Sequence, residues 1–186
     1  MSCTVAKTAT SAGLTPKGQA AGTHPRKSRA FDMEFSRLLK PEAVKVVTSA
    51  SSKKRLIQTF GDLASAAYDI DGDSVVEALT ERETLGPTGV GHGVALPHAR
   101  LEGLEDVVGA FVLLDKPIDY ASVDRQPVDL AFALFAPVDA GVEHLKALAL
   151  VARTLRDPAF CTKLRANQEP ATLFTILTEG RSDQAA

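Results

Sequence analysis

Along this chain of 186 residues, apolar positions follow two periods, and the two periods alternate. Between 51 and 67, Leu56, Phe60, Leu63, Ala64 and Ala67 recur at helical spacing, which predicts an amphipathic helix over Ser51–Ala67. A second helix is predicted to open at Ser74, where Ser74-Val-Val-Glu77 has the form of a capping box. It should stop near Leu85, because Gly86 and Pro87 cannot continue it. Before these helices, a turn around Pro41 leads into a candidate strand, Ala43–Val47. After them, Val94–Leu96 reads as a short strand, and Val107–Leu114 and Val128–Phe135 are near-continuous apolar runs. Unbroken runs of that length suit strands covered on both faces. Asp115–Gln126, with Pro117, three aspartates and a tyrosine, reads as an ordered loop between them.

The last third is helical by pattern. Leu145, Leu148, Ala149, Ala152 and Leu155 share one face of a helix starting near Glu143, and Pro158–Ala166 and Pro170–Thr178 are two shorter segments. The expected order is β-α-α-β-β-β-α-α-α, an α/β or α+β domain whose sheet carries helices on both sides. No internal repeat is visible.

Composition changes this picture at the ends. Hydrophobic residues make up 45% of the chain, enough for a sizeable core in one globular domain. Residues 1–30 differ: rich in Ala, Ser, Thr and Gly, they hold five basic residues and no acid. Residues 1–32 are therefore expected to be a disordered basic extension, 33–180 the folded domain and 181–186 a frayed tail. A basic, Ser-containing, acid-free leader also has the composition of an organellar transit peptide. Met33 as the natural start is a further reading, testable by the activity of protein beginning there. Residues 31–186 hold sixteen basic against twenty-three acidic residues, a net charge of −7. Such a body lacks the concentrated basic face that nucleic-acid binding needs. No apolar run reaches the ~20 residues of a membrane helix, so no membrane insertion is expected. Cys3 and Cys161 offer neither a disulfide framework nor a zinc cluster, and a cytoplasmic location is the expectation.

Candidate chemistry concentrates in Thr88-Gly-Val-Gly-His-Gly-Val-Ala-Leu-Pro-His98-Ala-Arg100. Gly89, Gly91 and Gly93 let the backbone bend tightly or approach a ligand, so with His92 they are candidates for phosphate or partner binding. Pro97 fixes the approach to His98, whose imidazole at a strand end can act as nucleophile, base or ligand. A histidine that merely closes a strand is the plain alternative. His144 falls in the first turn of a predicted helix, where free N–H groups favour an anion beside a neutral imidazole; a solvent-facing helix start is its plain reading. Arg82, in the last turn of the second helix, complements the helix dipole or clamps phosphate. Arg100 is a second candidate clamp. His92, His98 and His144 match no compact ligand spacing, so no metal is expected. The glycine stretch is neither a P-loop nor a dinucleotide fingerprint, since no Gly-Lys-Ser/Thr step follows and it leads into a strand.

These residues carry a resemblance. Leu79-Thr-Glu-Arg-Glu-Thr-Leu-Gly86, the Thr88–Arg100 stretch, Gln126-Pro-Val-Asp-Leu130 and His144-Leu-Lys-Ala-Leu-Ala-Leu-Val-Ala-Arg153 occur in one register. In that register the chain resembles the fructose/mannitol-type enzyme IIA of the bacterial phosphoenolpyruvate-dependent phosphotransferase system, nearest its nitrogen-regulatory branch. The resemblance spans about Phe35 to Leu177. It implies a three-layer α/β/α sandwich around a small mixed sheet, with His98 as phosphoryl acceptor and His144 and Arg82 as its site partners. It also implies phosphate delivery by an HPr-like carrier and no cofactor. The targets it implies are regulatory proteins such as kinases or potassium transport proteins; a sugar-specific enzyme IIA serving a separate transporter is the alternative. His92 stands where the family often has asparagine.

Overall fold

The computed structural model describes residues 33–48 and 52–179, so the expected extension (1–32) and tail (181–186) lie outside the described residues. In chain order the elements are α1 (Phe35–Leu38), β1 (Leu39–Val47), α2 (Lys53–Tyr68), α3 (Gly72–Thr84), β2 (Gly89–Gly91), β3 (Val94–Ala95) and β4 (His98–Leu101). They continue with β5 (Val108–Ile118), β6 (Val128–Pro137), α4 (Val142–Thr154), α5 (Pro158–Arg165) and α6 (Pro170–Glu179). The single sheet runs β1-β5-β6-β3-β2, and β4 follows β3 along the same side of β6. It is mixed: β1 is parallel to β5, and β3 and β4 are parallel to β6, while the β5/β6 and β2/β3 pairs are antiparallel.

The two apolar runs form the centre of this sheet. Gly109–Leu114 of β5 and Leu130–Pro137 of β6 are buried without interruption. Successive strand residues point to opposite faces, so both faces are covered and the molecule has three layers. On one side α2 and α3 pack on each other; α1, α5 and α6 form a second group. Phe35 of α1 stands edge-on to Phe132, ring centroids 5.6 Å apart, and Phe132 lies opposite Phe111 across the β5/β6 ladder.

Several elements differ from the sequence expectation for identifiable reasons. Pro41 lies within β1, not before it; it occupies an edge strand in the stretch where the register jumps between Leu39 and Val44, so its missing N–H breaks no ladder bond. The second helix opens two residues before Ser74. Its cap is Asp71, whose carboxylate accepts from the Ser74 N–H at 3.0 Å and also from the Ser74 hydroxyl. Ser74 thus sits inside the first turn, and an ionised carboxylate at the dipole's positive end displaces the weaker hydroxyl cap. Strand β5 continues to Ile118 through Asp115–Pro117, shortening the expected loop. The glycine stretch is itself a hairpin, β2 and β3, and the order gains strands there and at β4.

The face of α4 is also corrected. His144, Ala147, Leu150, Val151 and Thr154 point inward, whereas Leu145 is 64% exposed and Ala149 is exposed too. Apolar residues lie nearly all round this helix, so periodicity alone leaves its phase open and packing on β6 decides it. The rotation places His144 against the body of the domain.

Helices α2 and α3 meet at two glycines. A Cβ on Gly61 would lie 2.6 Å from the Gly72 carbonyl oxygen and 2.8 Å from Val76 Cγ2. Backbone cannot yield as a side-chain tip can. Gly61→Val is therefore expected to destabilise the fold by about 3 kcal/mol, the upper part of the overpacking range. A urea midpoint equal to wild type would show that the helices can part freely.

Candidate functional site

Three elements bring candidate side chains to one place. In α3 the buried positions Val75 and Leu79 fix the helix phase, and Arg82, one turn after Leu79, projects from the last turn beside β4. His98 opens β4, directly after Pro97, instead of closing β3 as its position suggested; its register partner on β6 is Leu134. The Pro97 carbonyl accepts from the Leu134 N–H at 3.0 Å, which pins the start of β4 to the central strand. His144 arrives from the inward face of α4, which packs on that same strand. The His98 and His144 ring centroids are 5.8 Å apart with the planes tilted by 50°.

The protonation of His98 follows from its neighbours. Nδ1 lies 2.9 Å from the Leu96 carbonyl oxygen, an acceptor only, so Nδ1 carries the hydrogen. Nε2 accepts from Arg82 Nε–H at 3.0 Å. The ring is thus the neutral Nδ1–H tautomer with its lone pair on Nε2, facing a guanidinium. Arg82 Nη1 also donates to the Gly86 carbonyl at 3.2 Å, so the fork is held at two points.

Burial pushes the pKa of His98 below the ordinary histidine value; the Leu96 carbonyl and Glu83 act against this, and Arg82 adds to it. His144 is lowered as well, by burial first and then by His98 and Arg100. Its Nδ1 is buried with no hydrogen-bond partner among the described residues. Two neutral imidazoles therefore face each other near neutral pH. The sign of the pH dependence follows. As pH falls through 6.5, the unfolded chain takes up protons that the folded site resists, so stability drops below that pH. The loss stops growing once the folded-state values are passed. Urea midpoints at about pH 7.5 and about pH 5.5 should differ more in wild type than in a His98→Ala/His144→Ala protein. Equal losses in both would remove the histidines as the cause.

Around these groups lies an open cleft of about 370 Å³, lined by His98, Arg82, His144, Arg100 and Glu81, with Ala78, Leu85 and Ala99 between them. Arg100 is exposed and donates through Nη1 to the Val138 carbonyl at 3.1 Å. The cleft lining can receive an oxyanion: Arg82 stands on Nε2 of His98, Arg100 and the second imidazole of His144 line the same cleft, and Glu81 is its one carboxylate. Among the described residues no group of three or more His, Cys, Asp or Glu gathers to hold a metal ion.

The glycine hairpin is elsewhere. Gly89, Gly91, His92 and Gly93 do not line this cleft, and their near neighbours belong to the protein itself. A Cβ on Gly89 would lie 2.5 Å from Ser122 Oγ, and one on Gly93 would lie 2.6 Å from Arg165 Nη2. The His92 N–H donates to Asp124 at 2.8 Å, its carbonyl accepts from Arg165 at 2.9 Å, and Arg165 grips Asp129 through two bonds of 2.7 Å. Close approach of backbone to the loop before β6 and to α5 explains these glycines.

Sequence reasoning missed the Leu96 carbonyl and Glu83. The first was available from the Leu-Pro-His spacing, since a histidine ring folds back readily onto the carbonyl two residues earlier. Glu83 sits beside Arg82 in sequence and gave no signal, because its partners Lys53 and Thr88 come from other segments.

Comparison with known proteins points in one direction. A family model described as "Phosphoenolpyruvate-dependent sugar phosphotransferase system, EIIA 2" matches residues 37–180. A protein of Bradyrhizobium diazoefficiens named nitrogen regulatory protein is 45% identical over 148 residues, 78% of this chain and 95% of that protein. Its namesake in Escherichia coli K12 is 40% identical over 158 residues, 82% of this chain and 96% of that protein. Among solved structures, nitrogen regulatory protein IIA-Ntr of Neisseria meningitidis superposes with a TM-score of 0.71 at 33% identity, covering 76% of this chain and 97% of that one.

Proposed function

The chain belongs to the EIIA type 2 family of the phosphoenolpyruvate-dependent phosphotransferase system, and from that premise we propose that it accepts a phosphoryl group on Nε2 of His98 and signals by its phosphorylation state. The supporting observation is the hydrogen bond from Nδ1 to the Leu96 carbonyl, which leaves the lone pair on the nitrogen that faces the cleft. Residues 33–180 act as the phosphotransfer domain. The donor is the phosphohistidine of a small HPr-like carrier.

The step is an in-line exchange. The Nε2 lone pair forms a P–N bond as the carrier's P–N bond breaks, and that bonding pair returns to the carrier's imidazole. His98 loses no proton, because its Nδ1–H stays on the ring. The ring becomes cationic, and the Leu96 carbonyl stabilises that charge through the bond it already accepts. Arg82 moves its Nε–H from the lone pair to a phosphoryl oxygen, and Arg100 adds a second positive charge at the cleft wall. His144, its Nδ1 sealed from solvent, meets the phosphoryl group through Nε2. Both ends of the transfer are P–N bonds of one kind, so the exchange is near-balanced and reversible.

Docking has a surface to use. Leu85 at the cleft is 81% exposed, and Val142 and Leu145, flanking His144 in sequence, are 67% and 64% exposed. Apolar side chains around a charged recess fit a protein that brings a phosphohistidine into it. A phosphoryl group then places close to two negative charges amid this patch, enough to switch a second partner on or off. The regulatory reading draws on the names of the similar proteins, and kinases or potassium transport proteins are the target classes to try first. No helix among the described residues is long and apolar enough to cross a membrane, and we place the protein in the cytoplasm with its carrier.

The test is direct. The protein is incubated with phosphoenolpyruvate, the first enzyme of the system and its carrier, and the acid-labile product is examined by phosphorus and nitrogen NMR. A phosphoryl group on Nε2 of His98 is expected; modification at Nδ1, or at another residue, overturns the assignment.

A further inference from the structure

Behind Arg82 and His98 lies a polar cluster that the transfer itself does not use. The Glu83 carboxylate is nearly buried and pairs with Lys53 Nζ at 2.5 Å. Its Oε1 accepts from the Thr88 N–H at 3.1 Å, and its Oε2 accepts a short bond from the Thr88 hydroxyl. That hydroxyl also lies 3.1 Å from the oxygen of Tyr120, a fully buried ring with the Lys53 ammonium 4.5 Å from its centroid. Each polar group here is satisfied by another, as buried groups must be.

The cluster joins the site through a closed circuit. Thr88, held by Glu83, accepts through its carbonyl from the Leu96 N–H at 2.9 Å. The Leu96 carbonyl in turn accepts from His98 Nδ1. The other nitrogen of His98 accepts from Arg82, whose second bond goes to the Gly86 carbonyl in the same turn. Arg82 is the chain neighbour of Glu83, so the circuit returns to its origin. One carboxylate therefore braces both ends of the imidazole: the carbonyl that selects the tautomer and the helix end that carries the guanidinium.

We propose that Glu83 is a positioning residue for phosphoryl transfer, holding the turn of residues 86–88 so that His98 keeps its Nδ1–H tautomer and presents Nε2 beside Arg82. Lys53 neutralises the buried carboxylate, so that its charge does not oppose the phosphoryl group arriving nearby. A purely structural Glu83 would contribute to stability and leave the ring unchanged. The proposal rests on His98 as the phosphoryl acceptor.

Nitrogen NMR of the unphosphorylated protein reads the tautomer, and the carrier reaction reads the rate. In Glu83→Ala, His98 is expected to lose its single tautomer and become a mixture of the two. The single-turnover rate of transfer should fall tenfold or more, with half-saturation by the carrier unchanged. Thr88→Val removes the hydroxyl bonds at nearly constant volume and should reproduce the tautomer change with a smaller fall, which serves if Glu83→Ala does not fold. Thr88→Ser restores the hydroxyl and should return both readouts to wild type. A wild-type tautomer in the folded variants overturns the proposal whatever the rate does, and so does an unchanged rate. If wild type itself takes up no phosphate, it is the acceptor reading that fails, while the tautomer comparison still judges the bracing by Glu83.

Discussion

His98→Ala protein is expected to take up no acid-labile phosphate from the carrier above background, while wild type approaches one phosphoryl group per chain. The reason is chemical. A phosphoryl carrier needs an atom on which the group can rest, and electrostatic support cannot replace a missing nucleophile. Arg82, Arg100 and His144 would still line the cleft in the variant, so binding of the carrier should survive. This separates the loss from a docking defect: half-saturation in a competition assay stays near wild type while transfer disappears. Misfolding does not account for the loss, because His98 is half-buried at the first position of a four-residue strand and its backbone pairing on Leu134 needs no side chain. The competing acceptor is His92, exposed at the tip of the glycine hairpin. Labelling retained in His98→Ala and lost in His92→Ala would move the acceptor to that turn.

How far the sequence reaches can be judged element by element. Strands β5 and β6 were legible because a strand buried on both faces writes itself as an unbroken apolar run. Helices α2, α3, α5 and α6 were legible from period and stop signals. What was not legible depends on pairing. Strands β2 and β4 are short, glycine- or proline-flanked pieces whose strand character comes from hydrogen bonds to β3 and to β6, whereas β3 was expected from Val94–Leu96. The same cause hid the setting of His98, which follows a proline that reads as a strand's end until β6 is in place to pair beyond it. The phase of α4 was lost for a different reason, since a helix apolar nearly all round has several faces able to turn inward. Of the site, His98, Arg82, His144 and Arg100 could be named from residue type and place, and the fold gathers all four at one cleft. The hairpin glycines were candidates for the same reason, yet a glycine needed for close approach looks the same whether the approaching group is a ligand or Ser122.

Arg82→Ala is expected to slow phosphoryl uptake by about 10- to 150-fold, the rate equivalent of a charge-assisted hydrogen bond worth about 1.5–3 kcal/mol. Two effects of the substitution oppose each other, and their sizes decide the sign. Removing the guanidinium frees the Nε2 lone pair that it now occupies, and it lifts one of the influences that hold down the His98 pKa. Both changes make the ring a freer nucleophile. Against them stands the loss of a cation from the wall where the oxygens of the transferring group gather charge. A neutral, desolvated imidazole is already competent near neutral pH, so little is gained by freeing it further. The electrostatic term is made mainly as the phosphoryl group arrives, which is where it lowers a barrier. Arg82→Lys keeps the charge and loses the fork. A single ammonium cannot hold the Gly86 carbonyl and a phosphoryl oxygen in one plane, and the lysine protein should fall between alanine and wild type, about tenfold down. The phosphorylated form should also hydrolyse faster in both variants, since the same contacts hold it. Stopped-flow transfer from the phosphorylated carrier measures the first quantity and decay of the isolated phosphoprotein the second. An Arg82→Ala protein labelled as fast as wild type would mean that the arginine only restrains the resting ring, leaving Arg100 and His144 as the phosphate-holding groups.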